Sequence, residues 1–132
     1  MSITLTVQDE DVGGQISNIH TLEFPAERLT VRDLIRGRVY EEVHDFNHDP
    51  SRAFRGLIRP GEEETRLNGG DRSPRAKPID WKRQFEMACQ AFEDGRILLL
   101  VDDRQAESLD DELELRRDSV ATFLRLTLLV GG

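Results

Sequence analysis

The chain has 132 residues, with 18 Lys plus Arg against 26 Asp plus Glu and a formal net charge of −8. That is the length of one ordinary domain, and the acidic balance disfavours non-specific binding to nucleic acid or anionic membranes. Cys89 is the single cysteine, so no internal disulfide can form; no apolar run approaches the roughly 20 residues that span a bilayer, and residues 1–4 carry no basic segment or signal core. A cytoplasmic protein without nucleic-acid or membrane partners is the expectation.

Ile3-Thr4-Leu5-Thr6-Val7 alternates apolar and polar residues, as a strand with one face on a core does. Thr21-Leu22-Glu23-Phe24 repeats the alternation after the glycine-containing stretch 9–14, which predicts a hairpin over residues 3–24 ended by Pro25. Thr30 followed by Asp33 forms an approximate capping box, with Leu29 and Leu34 placed to staple across it. A helix should therefore begin at Val31. Val31, Leu34, Ile35, Val39, Val43 and Phe46 make its apolar face, and Arg32, Arg36, Glu41, Glu42 and Asp45 face outward.

Four of the five prolines, Pro50, Pro60, Pro74 and Pro78, fall within residues 47–78, together with several arginines and glycines. This stretch reads as part of an insertion, in which Leu57-Ile58 and Thr65-Arg66-Leu67 could pair around Pro60-Gly61 and 68–77 is loose. Arg52, Arg55, Arg59, Arg66, Arg72, Arg75 and Lys77 give it a local positive balance, partly offset by Glu62-Glu63-Glu64. Asp80 is a second N-cap, and Trp81, Phe85, Ala88, Cys89 and Phe92 recur at helical spacing up to a stop at Gly95. Ile97 to Val101 is a continuous apolar run, expected to be a central strand buried on both faces. Residues 104–119 are mostly polar and acidic. Val120 to Val130 closes with alternation again, a long last strand running into Gly131-Gly132.

Two terminal glycines arise by chance in roughly one chain in 200. Lacking a Cβ, glycine lets an extended tail thread a narrow channel and leaves the last carbonyl open to attack. A free α-carboxylate is ionised at neutral pH and acylates nothing until it is activated, for which adenylation by ATP and capture by a partner's thiolate are the natural chemistry. The order strand, strand, helix, strand, short strand, strand, ending in diglycine, resembles the β-grasp fold of the ubiquitin-like proteins. Ubiquitin's last third has a strand, a short edge segment, a turn with Thr-Leu-Ser-Asp, and a final strand running into Leu-Arg-Leu-Arg-Gly-Gly. The chain is similar there: Arg96 to Val101, then Ser108-Leu109-Asp110-Asp111, then Phe123-Leu124-Arg125-Leu126-Thr127-Leu128-Leu129-Val130-Gly131-Gly132. The likeness covers about residues 1–46 and 96–132. It departs at 47–95 and in a tail without basic residues around the last leucine. Glu93-Asp94-Gly95-Arg96 copies a ubiquitin tetrapeptide but precedes the third strand instead of following it, and carries no weight.

The resemblance implies one α+β domain over 1–132: a β-grasp mixed sheet of about five strands packed on a helix, an insertion at about 47–95 with a second helix, and a flexible tail at 128–132. It implies no catalytic residue and no enzyme activity. Gly132 is the expected point of covalent attachment, with Gly131, Val130, Leu129 and Leu128 as the tail read by an activating enzyme. No cofactor is implied beyond the ATP that the activating enzyme uses. Expected partners are that activating enzyme, a conjugating enzyme, a deconjugating peptidase and a protein or small-molecule acceptor, with the free protein a monomer. The modifiers of bacterial ubiquitination-like operons are the nearest likeness. The apolar tail is also similar to those of the sulfur carriers of thiamine and molybdopterin synthesis, so a C-terminal thiocarboxylate is an alternative, as is a non-covalent β-grasp interaction module. A native chain continuing past Gly132 would call for a processing peptidase.

Other motifs read more plainly. His44 and His48 stand four apart, a metal-compatible spacing, but no further ligands accompany them, and histidine at a helix C-terminus suits the backbone dipole, so no metal is expected. Cys89 lies on an apolar stripe as a small buried thiol, not a nucleophile. Gly13-Gly14 and Gly69-Gly70 are turn glycines, and the acids of 102–118 make a solvated face.

Overall fold

Inward parity on the first strand is set by Ile3, Leu5, Val7 and Asp9, all buried, and everything else in the sheet registers against them. The computed structural model describes residues 2–49, 56–57 and 79–126. Strand β1 (Ile3–Glu10) pairs antiparallel with β2 (Ile16–Phe24), the hairpin expected from the alternation. Asp11 shapes the turn, its Oδ1 accepting from the amides of Gly13 and Gln15 at 2.9 Å each. The register shifts between Val7 and Asp9, where β2 carries one extra residue and Asn18 adopts a φ of 50°. Such a bulge twists the strand, and asparagine tolerates the left-handed conformation it needs.

β3 (Arg28–Thr30) leads directly into α1 (Val31–His48). The capping box is complete: the Asp33 amide donates to Thr30 Oγ1 at 3.1 Å, and the Thr30 amide donates to the Asp33 carboxylate at 3.2 Å. Two further amides at the start of the helix are satisfied from far along the chain, Val31 N–H by the Asp111 carbonyl and Arg32 N–H by that of Leu109. The Ser108–Asp111 segment holds the shape needed for this because the Asp111 carboxylate accepts from the amides of Glu107 and Ser108. Leu109 meanwhile plugs the core.

α2 (Trp81–Glu93) starts at its Asp80 cap and stops before Gly95, whose φ is 75°. It packs on α1, and Asn47 joins the two. The Asn47 amide donates to the Ile79 carbonyl and accepts from the Ile79 amide, both at 2.9 Å. β4 (Ile97–Val101), β5 (Arg104–Gln105), β6 (Glu112–Glu114) and β7 (Val120–Arg125) follow.

The main sheet runs β2-β1-β7-β4-β5, with β7 parallel to β1 and the other pairings antiparallel; β3 and β6 form a separate antiparallel pair. A mixed five-stranded sheet with the last strand inserted beside the first and α1 across one face is a β-grasp-like arrangement. The core lies between that face and the helices: Leu5, Val7, Leu34, Ile35, Ile97, Leu99, Ala121 and Phe123 are all fully buried.

Three sequence expectations need adjustment. Ile97, Leu99 and Val101 are buried, but Leu98 and Leu100 are only half-buried, because the helices cover a single face of the sheet. Glu42 does not point outward, since it turns in to a buried guanidinium. The expected hairpin of residues 57–67 and the loose stretch 68–77 lie outside the described residues apart from Leu57, which is in the core. β7 ends at Arg125, and Leu126 stands in a bend where the sequence predicted the strand to continue; residues 127–130 of that expected extension lie outside the described residues. Among the described residues, no helix is long and apolar enough to cross a membrane.

Asn47→Ala strands the Ile79 amide and carbonyl in a half-buried site and should cost about 2 kcal/mol. The check is a urea melt, in which the midpoint falls and the slope is unchanged.

Candidate functional site

Gly132, Gly131, Val130, Leu129 and Leu128 lie outside the described residues; the described strand that precedes them in the chain is β7. β7 is hydrogen-bonded on both sides. Leu124 pairs with Glu10 of β1, Arg125 pairs with Ile97 of β4, and the Leu126 amide donates to the Arg96 carbonyl at 3.0 Å. Leu126, the last described residue, is 40% exposed. The chain is thus held by backbone hydrogen bonds as far as Leu126, two residues short of the segment on which the sequence places its chemistry.

Beneath that end of β7 lies a cluster of four charged groups drawn from three elements. Arg38, fully buried on α1, donates from both terminal nitrogens to the two carboxylate oxygens of Asp9, at 2.8 Å for Nη2 to Oδ2. Its Nε donates to Glu42 Oε1 at 3.1 Å, and Glu42 in turn accepts from the Leu57 amide at 3.3 Å. Asp9 also accepts from Arg125 Nη2 and from Asn18 Nδ2, each at 3.2 Å. The Arg38 guanidinium carbon stands 4.6 Å from the Phe123 ring centroid, a cation over an aromatic face.

Burial alone pushes the Asp9 carboxyl up, but the hydrogen bond and charge of Arg38, the Asn18 amide and Arg125 outweigh it and hold the group below the usual aspartate value. Burial likewise works against the Arg38 cation, and Glu42 and Asp9 more than restore it. Two carboxylates and two guanidiniums balance, which is the condition for keeping charge in a core.

The sequence singled out none of Asp9, Arg38 and Arg125, although two signals were there. Asp9 continues the inward parity of Ile3, Leu5 and Val7, and Arg38 falls beside Leu34, Ile35 and Val39 on the apolar stripe of α1. Opposite charges at two inward positions mark a buried pair.

A second feature is a groove of about 520 Å³ between the end of β2 and the outer side of α1, walled by Phe24, Tyr40 and Trp81. Tyr40 and Trp81 meet edge to face with centroids 5.2 Å apart, and the Arg36 guanidinium sits 5.7 Å from the centroid of Trp81. Gly37 lines the base. A Cβ there would stand 2.7 Å from Phe24 Cε1, so the aromatic ring can lie against the helix backbone only because the residue is glycine.

The remaining candidates fall into place around these. His44 and His48 stack at 6.2 Å with 14° between their planes, prolonging a ladder from Tyr40 along the helix instead of converging on a common point. Among the described residues, no group of three or more His, Cys, Asp or Glu side chains could hold a metal ion. Cys89 is buried, and burial pushes its thiol up, opposed by Arg32 and reinforced by Glu93. Among the acids at 102–118, Asp111 supports α1, Asp110 pairs with Arg32, and Asp102 accepts from Ser119 Oγ at 2.7 Å and the Val120 amide at 2.9 Å.

Asp9→Asn should destabilise the fold at pH 7 by about 3 kcal/mol, because a buried guanidinium loses its charged partner. Since the folded aspartate has a depressed pKa, its contribution is present in full above the unfolded value of about 3.9 and is lost as pH falls through the lower folded value. The variant should therefore show a shallower acid limb below about pH 4 in urea melts taken across pH. No protein family, curated protein or solved structure matches this chain.

Proposed function

We propose that the chain is a ubiquitin-like protein modifier whose Gly132 carboxylate is the reacting group. The observation that carries this is topological. β7 is the inner, parallel partner of β1 in the β-grasp-like order, and the sequence following it runs Leu126-Thr127-Leu128-Leu129-Val130-Gly131-Gly132. A strand fixed on both edges gives an acyl tail a firm base, and the glycines give it a narrow tip. The reading holds whether Gly132 is the last residue as synthesised or is exposed when a longer precursor is cut.

In the proposed sequence, a carboxylate oxygen of Gly132 attacks the α-phosphorus of ATP on an activating enzyme and pyrophosphate leaves. A partner thiolate then attacks the acyl carbon of the adenylate, AMP leaves, and a thioester remains. An acceptor amine finally displaces the thiol and takes the acyl group as an amide. Every catalytic group in these steps belongs to the partners, and a deconjugating peptidase would reverse the last. The chain supplies the acyl group and the surfaces that select its enzymes.

Incubation with ATP and a cognate activating enzyme should give ATP–pyrophosphate exchange and an adduct cleaved by excess thiol, both lost when Gly132 is deleted. A mass gain corresponding to replacement of one oxygen by sulfur, with no protein-sized adduct, would instead assign sulfur carriage. Unchanged cellular activity of the deletion variant would assign a non-covalent module.

A further inference from the structure

We propose that the groove beside Trp81 docks an acidic segment of a partner protein that inserts one aromatic side chain. Three observations lead there, and none depends on the fate of Gly132. The first is shape and lining: about 520 Å³ walled by Phe24, Tyr40 and Trp81 is within the range of ligand sites, and its edge-to-face ring pair offers a further aromatic ring both a face and an edge.

The second is charge. On a protein of formal charge −8, the rim of this groove carries Arg28 and Arg36, and among the described residues neither is paired with a carboxylate. The one acid in the lining, Asp33, has its carboxylate turned back onto the Thr30 amide as part of the helix cap. Two guanidiniums on the rim of an aromatic slot select carboxylates, which they bind through paired N–H donors.

The third is extent. A second depression of about 310 Å³ shares Trp81, Arg36 and Asp33 with the groove and adds Arg32, Lys82, Phe85 and one acid, Glu86. Two hollows sharing one tryptophan wall suit an extended chain better than a single small molecule. Arg32 is held by an exposed ion pair with Asp110 at 3.2 Å, which an incoming carboxylate can replace at little cost.

The site is also set apart from the end of β7. Phe24 pairs with Ile3 at one end of β1, whereas Leu124 pairs with Glu10 at the other, roughly 20 Å away along the strand. A partner seated at Trp81 would not cover the end of β7.

Trp81 is the only tryptophan, so its fluorescence reports on the groove directly. The probe is a capped synthetic hexapeptide with one phenylalanine flanked by aspartate and glutamate, titrated into the full-length protein. A saturable change with Kd below about 1 mM is expected, weakening at least about tenfold between low and high salt. The same loss is expected for a peptide with alanine in place of phenylalanine, for one with lysine in place of the acids, and for the Arg28→Glu/Arg36→Glu variant at unchanged Tm. Tyr40→Ala, which alters the wall without touching the charges, should weaken binding and keep the salt dependence.

No saturable change, equal binding of the basic peptide, or indifference to the double charge reversal would overturn the proposal. So would a dimer in sedimentation that dissociates in the Tyr40→Ala variant, since a second copy would then be the occupant. None of these results bears on whether Gly132 is adenylated.

Discussion

A guanidinium with no exposed surface lies at the centre of this fold, and the elements around it are arranged to keep it charged. Arg38 comes from α1, Asp9 from β1, Arg125 from the end of β7, and Glu42 from the next turn of α1, itself holding the Leu57 amide. Taking either ion pair out of water is costly, and the cost is offset only when all the hydrogen-bonding positions are filled. Apolar packing would tolerate a sheet slightly rotated under the helix. A bidentate contact between Arg38 and Asp9 does not, because both nitrogens must reach both oxygens at once. The network therefore fixes the register of the helix on the sheet, and through Arg125 it fixes the base of the strand on which the proposed chemistry depends.

The same requirement explains the irregularity in β2. Without the bulge, Asn18 would fall on the ordinary strand alternation; with it, Asn18 takes a left-handed backbone and donates to Asp9. A local departure from regular pairing thus completes the coordination of a buried carboxylate. At the start of α1, backbone carbonyls do much of this work, those of Leu109 and Asp111 closing amides that the helix leaves open. Loops that look merely acidic in the sequence are in part scaffolding for a helix terminus.

Much of the fold was legible because it follows from periodicity. The hairpin, the Thr30 cap, the start of α1 at Val31 and the limits of α2 between Asp80 and Gly95 all rest on local signals, and the structure places them there. The β3–β6 pair was not legible, since two three-residue strands brought together across more than 80 positions leave no pattern in either segment. The burial of Leu98 and Leu100 was overestimated because an apolar run says how greasy a strand is, not how many layers cover it. The charge cluster is harder to read because a charged side chain is ordinarily solvated, and only the inward-facing neighbours of Asp9 and Arg38 hint that these two are not. The groove depends on Gly37 and Phe24 meeting across the fold, and on Trp81 arriving from α2, which no single stretch of sequence reveals.

On the proposed function, the chain is an acyl donor built on a rigid strand, with recognition surfaces elsewhere on the body. Trypsin offers the most direct view of that chemistry, because it cleaves after Arg125 and would leave residues 126–132 on any acceptor the chain has modified. Mass spectrometry of tryptic digests from cells expressing the protein should find acceptor peptides carrying Leu126 to Gly132 in amide linkage to a side chain. Finding this segment only as a linear peptide, free or continuing past Gly132 in an uncut chain, would contradict it.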